Sequence, residues 1–451
     1  MNANLNAIPA RALTIVAVLL PCMLLGVHAA LLAGVQGAFC IDDAYITFQY
    51  ARNVVDGHGP VFNPGERVEG YTNFFWMLLL SGLHAARTDL EVSSRVLAFV
   101  FALALIIGGT GWLSRRHSPM VALTFGALLA LDASFARWSQ DGLETVMFCG
   151  LVVLGAMRRQ DELTKRSELP VSVIFFVLAA LTRPEGYLVF ALSWFVGLFR
   201  GSPLRDRAKW AGLEAAAFLV PTMAHVGWRF AYYGMWLPNT FYAKVGTSGA
   251  QVDRGIDYTT AFLFETRGLL ILAMMALVGL TIRRKPSIAE VWAGSLALCC
   301  IGYVTAVGGD WMGPGRFLVP AVPLLLLAVL PRLDLLSGRT LVAALAALAI
   351  AGSVSGWRSH TAERESLIAE RPLSEARTAL GQFFAEQAPE DARILTGEIG
   401  AIAWFSERYV LDLYGLIDPH LARIEVDTMG EGRAGHEKVD LDYSLALAPT
   451  I

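Results

Sequence analysis

Long apolar runs recur along this chain, and they constrain its fold more than any other feature. Of its 451 residues, 55% are hydrophobic and 17% are charged, and the mean hydropathy is +0.51. Soluble domains carry more charge, whereas about 20 apolar residues suffice for a helix to cross a bilayer. We therefore predict an α-helical polytopic membrane protein of about eleven transmembrane helices. The predicted spans are residues 12–34, 95–114, 119–136, 143–157, 170–183, 187–200, 210–230, 258–282, 288–307, 316–331 and 340–356.

Basic residues cluster between these spans. Cytoplasmic loops of membrane proteins are enriched in Lys and Arg, and every cluster falls on the cytoplasmic side if the N-terminus is inside. The apolar run 73–86 would reverse this arrangement if it crossed the bilayer, so we predict a helix that lies in the interface or re-enters. The clusters are Arg115–Arg116, Arg158–Arg159 with Lys165–Arg166, residues 200–209, Arg283–Lys285, and Arg332 with Arg339.

The composition divides the chain into two predicted domains. Residues 1–356 form the transmembrane domain, and its first external loop covers residues 35–94. From residue 357 the chain is polar, and its pattern predicts a helix over 373–387 and strands near 393–396 and 409–413. We expect residues 357–451 to be a small extracytoplasmic α/β domain that rests on the membrane domain or begins a longer one. The net charge of −3 carries little information, and nothing in the composition indicates a nucleic-acid partner.

Chemically versatile residues concentrate in the predicted external loops. Asp42 and Asp43 directly follow the first span, where ionised carboxylates are costly without partners or water. Outside the cytoplasm a sugar donor is generally lipid-linked, and its transfer needs a carboxylate base and cations for the leaving phosphate. The aspartate pair supplies the base, with a slight preference for Asp42. The candidates for stabilising the leaving phosphate are Lys244, Arg183 and Arg316. The alternative interpretation of each is a residue at the membrane interface that extends its charge to water.

Further residues in these loops have weaker assignments. His58 lies in a predicted turn, where a structural or substrate-orienting role outweighs that of a general base. Tyr45 is a candidate for stacking on a sugar, or a member of an interfacial aromatic belt. Asp310 is expected to pair with one of the cations. Glu69 or Asp310, with the aspartate pair, has the oxygen ligands for a divalent cation such as Mg, Mn or Ca, but no His/Cys cluster indicates a transition metal, and we assign no metal ligands.

Several motifs of the chain resemble one family of membrane enzymes. The first external loop closely resembles that of GT-C fold glycosyltransferases in the group of the mycobacterial terminal β-1,2 arabinofuranosyltransferase. The polar C-terminal tail of this chain is shorter than the external domain that is usual in that group. The matching segments are DDAYITF (42–48), YARN (50–53), GHG (57–59), VFNPGERVEGYT (61–72), Trp76, and residues 182–186, 238–244, 308–316, 396–398 and 412–420.

This resemblance implies a function. It implies that a sugar, with arabinofuranose as the candidate, passes from a polyprenyl-phosphate donor to a glycan or lipid acceptor of the cell envelope. The reaction would take place at the outer face of the bacterial inner membrane, by inversion, with Asp42 or Asp43 as base. The match at 238–244 adds Asn239 to the substrate-binding candidates.

Two other functions remain open from the sequence. A transporter or flippase of lipid-linked saccharides would share the spans and the headgroup-level cations. Against it, the polar loops lie on one side and we expect no charges deep within the spans. A non-catalytic assembly subunit is the third reading, and the intact aspartate pair disfavours it.

Overall fold

The computed structural model describes residues 10–165, 169–199, 203–246, 248–313 and 315–451, and it is mainly helical. Arg166 and Arg200, which belong to two of the basic clusters, lie outside these ranges. The helices are α1 (Ala10–Gln36), α2 (Asp42–Val55), α3 (Phe74–Ala85), α4 (Leu90–Ser114), α5 (Pro119–Leu131), α6 (Ala133–Trp138), α7 (Thr145–Lys165), α8 (Ser172–Thr182), α9 (Glu185–Gly197), α10 (Leu204–Tyr233), α11 (Asn239–Lys244), α12 (Gly249–Thr260), α13 (Gly268–Leu280), α14 (Ile288–Ala306), α15 (Ala321–Val329), α16 (Gly338–Gln387), α17 (Ile399–Ser406) and α18 (Leu441–Ala446).

Every predicted span overlaps a helical segment, but the number of membrane crossings is not confirmed. Within the described ranges, five helical segments are long and apolar enough to cross a bilayer, or six if a pair bent by 77° counts as one span. The bent pair is Gly249–Thr266 with Gly268–Leu280. Helices α5, α8 and α9 have 13, 11 and 13 residues, so each alone is shorter than a typical span. The five segments are Ala12–Gln36, Leu90–Ser114, Ile288–Ala306, Arg316–Leu335 and Gly338–Gln387.

Helix α3 occupies the apolar run that was predicted to lie in the interface or to re-enter. It has 12 residues, which correspond to about 18 Å at 1.5 Å per residue. The hydrocarbon core is about 30 Å thick. Its length therefore agrees with a helix that does not cross the bilayer alone.

Helix α16 joins two elements that the sequence pattern separated. The predicted span 340–356 and the predicted helix 373–387 are parts of one helix of 50 residues. The composition changes at residue 357 while the backbone stays helical, because a helix that leaves an apolar environment needs polar side chains but no break. The expected domain boundary therefore falls inside a helix.

The C-terminal residues form the small α/β unit at the predicted positions. Strands β1 (Arg393–Thr396) and β2 (Tyr409–Asp412) pair in parallel, and α17 lies between them in sequence. The side chain of Asn63 donates to the Val410 carbonyl over 2.9 Å and accepts from its N–H over 3.2 Å. Asn239 donates to the carbonyl of Gly415 over 2.8 Å. The unit thus rests on the membrane domain through side chains that pair with its backbone.

A glycine sets the contact between α12 and α14. A Cβ atom on Gly255 would lie 1.9 Å from the carbonyl oxygen of Thr305. We expect Gly255→Ala to lower the thermal midpoint of the detergent-purified protein, because overpacking costs about 1–3 kcal/mol. Gly227→Ala on α10 is the matched control, since no atom lies within 4 Å of its Cβ position. Equal midpoints for the two variants would contradict the close contact.

Candidate active site

A cavity of about 600 Å³ lies where the first external loop, the ends of several helices and the C-terminal unit meet. It brings together five of the ten residues predicted for the site: Asp43, Arg183, Lys244, Asp310 and Arg316. Ionisable and polar residues that the sequence analysis did not assign to substrate also line it. They are Thr47, Tyr71, Thr72, Asn73, Glu144, Glu185, Tyr187, His225, Arg229, Thr240 and Tyr303.

Asp43 and Lys244 are the free charges of this cavity. Within the described ranges, neither side chain has a hydrogen bond or an ion pair, and both are half-buried. Both act on the imidazole of His436. Burial lowers the pKa of His436, Asp43 raises it and Lys244 lowers it further. A carboxylate and an ammonium group that have no partner within the described ranges thus line one cavity.

The arginines of the cavity are held by carboxylates. Arg183 donates to Glu144 over 2.9 Å and to Glu185 over 2.7 Å. Arg316 lies 2.6 Å from Asp310. The sequence analysis expected Asp310 to pair with one of the cations, and it pairs with Arg316. Such ion pairs fix the direction of each guanidinium group while leaving its other N–H groups able to donate.

Arg229 was missed by the sequence analysis. It lies inside the predicted span 210–230, lines the cavity, and pairs with Glu69 over 2.6 Å. Burial raises the pKa of Glu69 to about 7, although Arg229 opposes the shift. A charged residue within an apolar span is itself a signal of a buried partner or a site. Arg229 lies near the end of that span, so the expectation of no charges deep within the spans did not single it out.

Asp42, the slightly preferred base, does not line the cavity. Its side chain is 6% exposed, and its two carboxylate oxygens accept the N–H groups of Gly400 and Ala401 over 3.0 and 2.8 Å. These amides belong to the first turn of α17, where N–H groups have no partner within the helix. Asp42 therefore holds the C-terminal unit against the start of α2, while the adjacent Asp43 faces the cavity.

The remaining predicted residues also lie outside the cavity lining. The Tyr45 hydroxyl donates to Glu91 in the protein interior. His58 is exposed in the turn after α2. Asn239 is buried and binds backbone carbonyls of the C-terminal unit. Each of these side chains has a structural environment that the sequence pattern could not show.

Three of the four carboxylates considered for a divalent cation are already engaged, and Asp43 is the exception. Asp42 accepts two amides, Glu69 pairs with Arg229, and Asp310 pairs with Arg316. Within the described ranges no three His, Cys, Asp or Glu side chains are arranged to bind a metal ion. With three of these four carboxylates already paired, the donor set at this site does not fit a resident cation.

The fold around this cavity is shared with solved membrane enzymes. ArnT from Cupriavidus metallidurans bound to undecaprenyl phosphate aligns with a TM-score of 0.56 at 13% identity, over 86% of this chain and 85% of that one. AglB from Archaeoglobus fulgidus, in complex with an inhibitory peptide and a dolichol-phosphate, aligns with a TM-score of 0.54 at 11% identity, over 87% and 64%. This chain has the GT-C fold. It is a multi-pass membrane protein with several apolar helices.

Among curated proteins, the GT-C chain is similar to two that are named terminal β-(1→2)-arabinofuranosyltransferase. The protein from Mycobacterium tuberculosis is 31% identical over 271 residues, which cover 56% of this chain and 42% of the relative. The protein from Corynebacterium glutamicum is 31% identical over 340 residues, which cover 66% and 49%. The chain thus spans about half the length of these relatives. Residues 367–447 match a family described as "Domain of unknown function (DUF8728)".

The contact between Asp42 and α17 predicts a pH-dependent stability. Burial raises the pKa of Asp42 from 3.8 to about 6, although Arg377 and the Ala401 amide oppose the shift. The Asp42 carboxyl group therefore binds a proton more tightly in the folded chain than in the unfolded chain. Its contribution to the stability of the folded state falls as the pH rises from about 4 to about 6, and it is constant at higher pH. We expect the thermal midpoint of the wild type minus that of Asp42→Asn to decrease over this interval. A difference that increased with pH would contradict the dominant effect of burial.

Proposed function

We propose that the protein is an integral membrane glycosyltransferase that moves a sugar from a polyprenyl-phosphate donor to a cell-envelope glycan or lipid acceptor. The observation that carries the proposal is that the carboxylate of Asp43 and the ammonium group of Lys244 line the same cavity and have no partner within the described ranges. The similarity to two arabinofuranosyltransferases supports the activity and makes arabinofuranose the candidate sugar. The distribution of basic residues supports a cavity at the outer face of the bacterial inner membrane.

The residues of the cavity have the roles that this transfer needs. The carboxylate of Asp43 accepts the proton of the acceptor hydroxyl while the hydroxyl oxygen bonds to the anomeric carbon of the donor. The bond between that carbon and the phosphate oxygen breaks, and polyprenyl phosphate leaves with the bonding electrons. Lys244 and the fixed arginines Arg183 and Arg316 stabilise the charge that develops on this phosphate. Attack from the face opposite the leaving group inverts the anomeric configuration.

Structural neighbours support the class of the donor. ArnT was solved with undecaprenyl phosphate and AglB with a dolichol-phosphate. The cavity of this chain combines apolar walls from Val226, Leu237 and Phe241 with the cations described above. An apolar wall beside fixed cations suits an isoprenoid chain that ends in a phosphate.

Substitution of Asp43 tests the base. We expect Asp43→Asn to lower kcat by about 10²–10⁴-fold, which is the usual contribution of a general base. Asp42→Asn should stay within about tenfold of the wild type, because Asp42 lies outside the cavity lining and Asn keeps one oxygen that accepts an amide of α17. The assay measures polyprenyl phosphate released from a panel of polyprenyl-phosphate pentoses and hexoses in nanodiscs. Asp56→Asn, at the exposed end of α2, is the control. Full turnover by Asp43→Asn would reject the proposed base.

Substitution of Lys244 tests the phosphate contact. We expect Lys244→Gln to weaken binding of polyprenyl phosphate by about tenfold or more, because a charge-assisted hydrogen bond contributes about 1.5–3 kcal/mol. Exchange of the exposed Lys209 for Gln removes the same charge from the start of α10, far from the cavity lining. Equal affinities for the two variants would show that Lys244 does not bind the phosphate.

A further inference from the structure

Besides the charged groups, two buried polar side chains of the cavity have no hydrogen-bond partner within the described ranges. His225 is 9% exposed, and both of its ring nitrogens lack a hydrogen bond. Thr240 is 8% exposed, and its hydroxyl group also lacks one. Both residues line the cavity. Burying polar groups without hydrogen-bond partners costs free energy. Their position in a cavity therefore indicates a ligand that makes the missing hydrogen bonds.

The helices place each of these residues one turn from a cation. His225 and Arg229 are four residues apart on α10, and Thr240 and Lys244 are four residues apart on α11. Residues with this spacing share a helix face and are separated by about 6 Å along the axis. Two helices therefore each present a neutral polar group next to a positive one.

The ring of His225 is held in place by its neighbours. It lies 4.2 Å from the ring of Phe74 and 5.7 Å from that of Trp228, measured between centroids. Phe74 directly follows Asn73, whose amide donates to Glu144 over 2.9 Å. His225 thus lies beside the part of the cavity that holds the ion pairs, and its orientation is fixed by ring packing instead of hydrogen bonds.

The chemistry of the two groups indicates what they bind. Neutral imidazole and a hydroxyl group can each donate one hydrogen bond and accept another. Phosphate oxygens only accept hydrogen bonds, and the cations of the cavity already supply donors for them. A sugar hydroxyl both donates and accepts, and the donor sugar is bonded directly to the phosphate. We propose that His225 and Thr240 bind hydroxyl groups of the donor sugar and thereby select which sugar is transferred. This inference rests on the proposed function.

A comparison of donors with and without each hydroxyl tests this assignment. The wild type, His225→Phe and Thr240→Val are assayed with the polyprenyl-phosphate sugar that the wild type turns over best and with its monodeoxy analogues. We expect each substitution to lower kcat/KM for the parent donor by about five- to tenfold, the usual effect of one neutral hydrogen bond. For one deoxy analogue the same substitution should have no further effect, because the partner of the side chain is already missing.

The controls separate recognition from folding. Phe keeps the ring packing of His225, and Val keeps the shape of Thr240. Thr222→Val on α10 is the matched control, because Thr222 is buried outside the cavity lining and its hydroxyl already donates to the Phe218 carbonyl over 2.7 Å. Binding of sugar-free polyprenyl phosphate should stay unchanged in all three variants.

The outcomes distinguish this inference from the proposed function. Equal loss of kcat/KM for the parent donor and every deoxy analogue would overturn the subsite and leave the transferase activity standing. Loss of sugar-free polyprenyl phosphate binding in His225→Phe and Thr240→Val would also overturn it, since the two side chains would then be structural. A wild type that released no polyprenyl phosphate from any donor would refute the proposed function and, with it, the subsite.

Discussion

A charge that is held away from water needs a counter-charge or hydrogen bonds, and this requirement shapes the whole site. Burying an ion without a partner costs several kcal/mol. Each arginine that lines the cavity accordingly has a carboxylate: Glu144 and Glu185 for Arg183, Glu69 for Arg229, and Asp310 for Arg316. Within the described ranges, Asp43 and Lys244 remain as half-buried charges of the cavity without a partner.

The same requirement builds the support behind the cavity. Arg137 is buried and donates to Asp141 over 3.0 Å and to Glu363 over 2.7 Å. Arg267 pairs with Asp132 over 2.7 Å. The contacts of Arg137 join α6 to the loop before α7 and to the middle of α16. The contact of Arg267 joins the residue before α6 to the bend before α13. Residues whose side chains are locked in this way hold a site in place better than loops alone.

Asp42 extends this support to the C-terminal unit. By accepting the first amides of α17, it joins the start of α2 to a segment more than 350 residues away in the chain. The C-terminal unit in turn contributes Leu416 and Ala434 to the cavity lining. The matched family of unknown function begins at residue 367, inside α16. The segment of this chain that matches the family therefore contributes residues to the cavity lining.

The sequence by itself determined the class of structure and several of the charged residues that line the cavity. Long apolar runs located the helical segments, because the need to bury or match apolar surface acts locally along the chain. The aspartate pair, the three cations and Asp310 as a partner for one of them were identifiable, because charges at the edge of apolar spans are costly enough to require a function or a partner.

Only the tertiary structure decided which of these residues meet. Adjacent aspartates point in different directions on a helix, and no local pattern could show that α17 occupies the Asp42 side while Asp43 faces the cavity. The contacts of Asn239 and the pair of Arg229 with Glu69 likewise join segments far apart in the chain. Whether a polar side chain is a ligand or a structural partner depends on what packs against it, and that is settled by contacts between distant segments.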